Sequence, residues 1–170
     1  MAAIVTIDES NGAGEIQNAD IANLNYGSND SSELAVATYP ITQGENSFEK
    51  WVRFHVTDLG GVSAVDNLRI WRTGALGANA THKCNLRTSS YDGAQTYAAP
   101  SATDRSATYD YAQDMPTSEP ATANLGIGGS LTGQLTAAGY SDYFVSQIQT
   151  TASATAGANT TLNFEHDEIA

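Results

Sequence analysis

"KWVRFHVTDLGGVSAVDNLRIW", residues 50–71, decides the fold class. From Trp51 to Thr57 large apolar and polar residues alternate with period two. Val52, Phe54 and Val56 fall on one face, and Trp51, Arg53, His55 and Thr57 on the other. That alternation is the signature of a strand. Gly60-Gly61 then interrupts the run, and "NLRIW" resumes it. Here Leu68 and Ile70 share one face, and Arg69 and Trp71 the other.

Strand signals recur outward from this core. "AAIVTID" opens the chain, and "SELAVATYP" runs to Pro40, where a ladder must stop. "YFVSQIQTTASATA" reads as a long strand from near Tyr143, and "NTTLNFEHDEI" as the last one. Gly157-Ala158-Asn159 between them reads as a short hairpin link. Helical periodicity is scarce; Ala19 to Leu24 suffices for one turn. From Thr73 to Leu135 the chain is rich in Ala, Ser, Thr, Gly and Asn, with tyrosines at 91, 97, 109 and 111. It reads as strands joined by long surface loops. The expected architecture is all-β: an antiparallel β-sandwich, jelly-roll-like, in a single domain spanning residues 1–170.

The chain has 19 acidic residues against 7 Lys and Arg, a net charge of −12. Phosphate backbones and anionic lipid surfaces are bound by cations, so neither nucleic acid nor a membrane is an expected partner. The charge is also segregated. Every cation lies between Lys50 and Arg105, where only Asp58, Asp66, Asp92 and Asp104 oppose seven positive charges. Residues 1–49 and 106–170 carry carboxylates alone. The segregation fits either an ordinary solvated surface or, the sharper expectation, a cationic patch that meets acidic flanks of another copy or of a neighbouring protein.

Signals for chemistry are weak. Cys84 is the only cysteine, so an intrachain disulfide is excluded and a structural zinc lacks ligands. His82 and Cys84 stand two apart, too few for such a site. "GIGGSLTG", residues 126–133, lacks the context of a nucleophile elbow and holds no Walker lysine. It reads as a turn. Glu165 and Asp167 share a strand face at the end of the chain; a docking strand fits them better than catalysis, with calcium binding a lesser alternative. No catalytic residue, metal or cofactor is expected. The segment MAAIVTIDESNG has neither a basic n-region nor an apolar h-region. The expectation is a soluble chain made in the cytoplasm, which stays in the cell or leaves it by lysis.

The tryptophans are the sharper feature. Trp51 with Arg53, and Trp71 with Arg69, come together on one sheet surface if their strands pair. Trp and Arg are enriched at interface hot spots and form cation–π pairs. The expected interface therefore comprises Trp51, Arg53, Arg69, Trp71 and Arg72, with Glu165, Asp167 and Glu168 of the last strand. The same residues fit a core covered on both faces, with the tryptophans simply buried. A sugar-stacking surface, and hence a carbohydrate-binding module, is a further alternative.

Taken in order, "NSFEKWVRFHV", "VDNLRIWRTG", "SDYFVSQIQTTASATAG" and "TLNFEHDEI" resemble small virion structural proteins of tailed bacteriophages. The resemblance spans residues near 46–74 and 141–169. It implies a β-rich protein without enzymatic activity, present in many copies on the particle. The nearest type is a head decoration, or cement, protein on the capsid exterior. Its implied partners are the major capsid protein and copies of itself, a trimer being favoured. A tail or baseplate position is the alternative within the virion.

Overall fold

The computed structural model describes residues 1–155 and 160–170. The protein is almost all β, with two antiparallel sheets. The strands are β1 (Ile4–Asn11), β2 (Ile16–Asn18), β3 (Lys50–Asp58), β4 (Ala64–Thr73), β5 (Ala80–Cys84), β6 (Gln113–Asp114), β7 (Gly139–Tyr140), β8 (Phe144–Thr150) and β9 (Thr161–Ile169). Among the described residues one short helix, α1 (Ser106–Tyr109), interrupts them.

The large sheet runs β2-β1-β3-β8-β5-β6. The second edge of β3 is shared: β8 pairs with Lys50–Val52, and β7 with His55 and Val56. The small sheet is the β4-β9 pair alone. Val52, Phe54 and Val56 of β3 join Val65, Leu68 and Ile70 of β4 and Phe144 of β8 in one apolar core. Phe164 of β9 packs edge-on against Phe54 and Phe144, with ring centroids 5.7 and 6.3 Å apart. The expected alternation in β3 and β4 holds, because these apolar sets are what the two sheets bury against each other.

The other face of the large sheet is covered too. Trp51 is fully buried there, with Tyr97, Tyr109 and Tyr143 edge-on at 5.2–5.4 Å. Two of those tyrosines come from the irregular segment after β5. That segment folds back over the sheet and is fastened by Glu49, whose carboxylate accepts from Tyr111 Oη at 2.7 Å and Arg105 Nε at 2.9 Å. Leu86, Tyr111, Met115 and Leu125 within the expected loop region are buried as well.

Four expectations need correction. β3 and β4 do not pair; the Leu59–Ser63 turn carries the chain from one sheet to the other. Nor do β8 and β9 form a hairpin, since β8 lies between β3 and β5 while β9 pairs β4. The link itself, Gly157-Ala158-Asn159, lies outside the described residues. "SELAVATYP" is not a strand. Thr38 and Tyr39 N–H both bond the Ala35 carbonyl, a turn that buries Leu34 and leaves Val36 exposed. Ala19–Leu24 is not helical.

Candidate functional site

The outward face of the small sheet gathers half of the expected interface residues. In the β4-β9 register Arg69 lies opposite Glu165, and Trp71 opposite Asn163. A register shift between Asp66 and Arg69 adds one residue to β4, with Asn67 in the left-handed region at φ 48°. The bulge brings Asn67 and Arg69 onto one carboxylate. Asn67 Nδ2 donates to Asp167 Oδ2 at 2.7 Å, and Arg69 Nη2 to Asp167 Oδ1 at 3.0 Å. Those two bonds, the amide first, hold the Asp167 carboxyl below its ordinary range. Glu165 and Glu119 complete the ring around Arg69 at 3.5 and 3.4 Å. Three half-exposed carboxylates on one guanidinium leave the face negative. Trp71 stands beside them, half-buried.

The remaining expected residues lie elsewhere. Trp51 is 0% exposed and offers no ring face to a partner or a sugar. The Cζ of Arg53 lies 4.3 Å above both the Tyr140 and Tyr143 rings, so its cation–π partners are tyrosines rather than tryptophan. Arg72 Nη1 donates to the Gly74 carbonyl, and its main-chain N–H to Pro116. Glu168 Oε1 accepts from the Ala3 N–H at 2.8 Å and ties the N-terminus to β9.

The edges of the sheets differ. The large sheet ends in β2 and β6, of three and two residues, which blunts it against strand pairing. The far edge of β4 is covered: Asn124 bonds both the N–H and C=O of Ile70, and Leu135 bridges Val65. The far edge of β9 is nine residues long. Its main-chain groups bond no other segment there among the described residues.

The charge pattern resolves differently from expectation. Six of the seven cations pair within the chain, each reaching into an acidic flank. The pairs are Lys50–Glu9, Arg53–Glu15, Arg69 with its ring, Lys83–Asp114, Arg87–Asp110 and Arg105–Glu49. The segregated charges fasten the two flanks to the middle of the same molecule.

No group of three or more metal-type ligands occurs among the described residues. His82 and Cys84 both face inward on β5, where burial drives the imidazole down to about 3 and the thiol up to about 12. "GIGGSLTG" is a turn whose Gly129 N–H donates to the Asp142 carboxylate, with Gly129 at φ 80°. A cavity of about 850 Å³ opens between the sheets, walled by Ile7, Leu24, Ile148, Leu162 and Phe164. On its wall Tyr26 Oη bonds His82 Nε2 at 3.0 Å and, behind the lining, Ser146 Oγ at 2.6 Å, while the buried His82 Nδ1 has no partner among the described residues. No helix among the described residues is long and apolar enough to cross a membrane.

One polar cluster was not anticipated. Glu9, Asn11 and Lys50 are buried together on the inner face of the large sheet. The period-two pattern extends to them: Lys50 has the parity of Val52, and Glu9 that of Ile7. Comparison with known proteins returns no match: no family model, curated protein or solved structure is significantly similar to the chain.

Proposed function

We propose that the chain is a virion structural protein, a capsid decoration protein that binds the outer surface of the major capsid protein shell and stabilises it. In this reading the two sheets form a jelly-roll-like β-sandwich, and the molecule acts through a surface rather than through a reaction. The single observation that carries it is the nine-residue edge of β9, left unpaired among the described residues, next to the half-buried Trp71. Long open edges invite strand addition, and proteins that stay alone usually blunt them. The acidic row around Arg69 selects a basic strip on the partner. Weak contacts at each site add up when many symmetric copies bind one shell, and a trimer supplies three at once.

The test is particle composition. Purified particles from cells making the chain contain it in stoichiometric copies with the major capsid protein, and images place it on the head. Copies at the tail or baseplate move the assignment within the virion. A chain that stays free of all particles overturns it. Glu165→Lys with Asp167→Lys abolishes attachment in this reading, because like charges then face the basic strip; unchanged attachment removes the small sheet as the contact.

A second reading, a carrier of an apolar small molecule, is favoured by the cavity alone, whose size suits such a ligand. It predicts that a fluorescent apolar probe binds and is displaced by Leu162→Trp.

A further inference from the structure

Burying an ammonium and a carboxylate is expensive unless their remaining bonds are met. Lys50 is 1% exposed and Glu9 0%. Lys50 Nζ donates to Glu9 Oε1 at 2.7 Å and to the Ser31 carbonyl at 2.9 Å. The Glu9 Oε2 atom is buried and has no hydrogen-bond partner among the described residues. A cluster kept only for stability has no need of that unmet atom.

The third member explains the arrangement. Ser10 pairs with Trp51, so one residue further along the same register Asn11 stands opposite Lys50. Asn11 Nδ2 donates to the same Glu9 Oε1 that holds the ammonium, at 2.9 Å, and to Asp30 Oδ1 at 2.6 Å. Asn11 Oδ1 accepts from Asn18 Nδ2 at 2.8 Å. A buried amine, carboxamide and shared carboxylate are thus assembled with a half-buried donor on the carboxamide oxygen. These are the parts that acyl transfer to an amine requires.

We propose that Lys50 and Asn11 become joined by an intramolecular isopeptide bond, with Glu9 shuttling protons. Glu9 takes one proton from the Lys50 ammonium. The freed lone pair of Nζ attacks Asn11 Cγ, forming the new C–N bond, while the carbonyl π pair moves onto Oδ1. Asn18 Nδ2 donates to the oxyanion there. A second proton leaves Nζ, and Glu9 delivers both to Nδ2 as the old C–N bond breaks. Nδ2 departs as ammonium, Oδ1 becomes a carbonyl again, and Glu9 returns to a carboxylate. No oxidant or cofactor is needed. The bond rivets β1 to β3 and stands independently of any role in a virion.

Denaturing mass spectrometry tests it on the unmodified chain of 17.8 kDa. The expected mass is below that of the sequence by one ammonia, about 17 Da. Trypsin gives the second readout. Lys50 is the first cation in the chain, so an acylated Lys50 yields a peptide of residues 1–53, and a free one yields 1–50. Asn11 precedes Gly12, and its cyclisation to a succinimide loses the same mass. Mass loss with cleavage after Lys50 retained therefore overturns the bond, as does an unchanged mass. Glu9→Gln slows formation about 100-fold or more, restoring the sequence mass and cleavage after Lys50. Because the unmodified chain decides the matter, a poorly folding variant leaves the result intact.

Discussion

Trp51 and Trp71 hold equivalent places in two alternating strands, each beside an arginine, yet they end in opposite environments. Trp51 lies on the large sheet beneath three tyrosines and has no exposed surface. Trp71 lies on the outward face of the small sheet, half-buried among side chains that solvent also reaches. What separates them is the chain that returns to cover the first. Residues 97–111 fold over the large sheet and are fastened by Arg105 and Tyr111 to the buried Glu49. Among the described residues nothing comparable covers the small sheet's outward face, where Arg69 and its carboxylates form the boundary. Burial of a strand face is therefore decided by distant segments, and the open face is the one available for contact.

The sharpest way to break this comparison is to truncate both tryptophans. Removing a large ring from a filled core loses its transfer energy and leaves a cavity. Trp51→Ala is expected to destabilise the fold by about 3–5 kcal/mol. Trp71→Ala is expected to lose about 1 kcal/mol or less, as partly exposed positions do. Chemical denaturation followed by tyrosine fluorescence measures both. Equal losses would mean that the two sheets are covered alike.

The next effect is a pH dependence seated on the inner face. His82 is buried against Tyr26 and near Arg72, and burial holds its imidazole neutral down to about 3. The unfolded chain takes up that proton near 6.5. Stability from this group is thus complete above about pH 6.5 and declines as pH falls, at about 1.4 kcal/mol per unit, until the folded protein protonates. Between pH 6.5 and 5 the loss is about 2 kcal/mol. His82→Gln keeps a hydrogen-bonding group toward Tyr26 Oη and removes the titration, so its stability over this window should be flatter by that amount. A parallel decline in the variant would assign the dependence to other groups.

These contrasts also mark what the amino-acid pattern conveys. Alternation in Val52, Phe54, Val56, Leu68 and Ile70 was legible because it is local and reflects a single buried face. Which strands pair was not, since pairing joins residues far apart: β9 meets β4 across about a hundred positions. "SELAVATYP" alternates like a strand, but Tyr39 returns its carbonyl to Ser28 N–H, and Leu34 closes onto Gly27, where a Cβ would lie 2.2 Å from each. That a second layer buries Trp51 was among the readings the pattern allowed, but not which residues form it, because Tyr97, Tyr109 and Tyr111 lie in a stretch without periodicity. The segregation of charge was plain, but not its use within one molecule. Of the surface site, the pairing of Arg69 and Trp71 on one face was readable from parity. Glu119, the third carboxylate on Arg69, lies between prolines in an irregular stretch and gave no such signal.

The smallest expected effect is the one that bears most on the open face. Arg69 meets three carboxylates at 3.0–3.5 Å, which would suggest a strong anchor. Each carboxylate is about half exposed, however, and water screens such pairs to a fraction of their bare attraction. Arg69→Ala should therefore lower stability by about 1 kcal/mol or less, part of it from Glu119, Glu165 and Asp167 left repelling one another. High salt should shrink that difference, because screening weakens attraction in the parent and repulsion in the variant alike. Asp167 reports the change directly: losing Arg69 should raise its titration toward the ordinary carboxylate range, while the Asn67 hydrogen bond still holds it partly down. A loss of several kcal/mol, insensitive to salt, would show the ring to be a structural lock comparable to Glu49 and Arg105 on the large sheet, and would take the small sheet out of contention as a surface free to meet a partner.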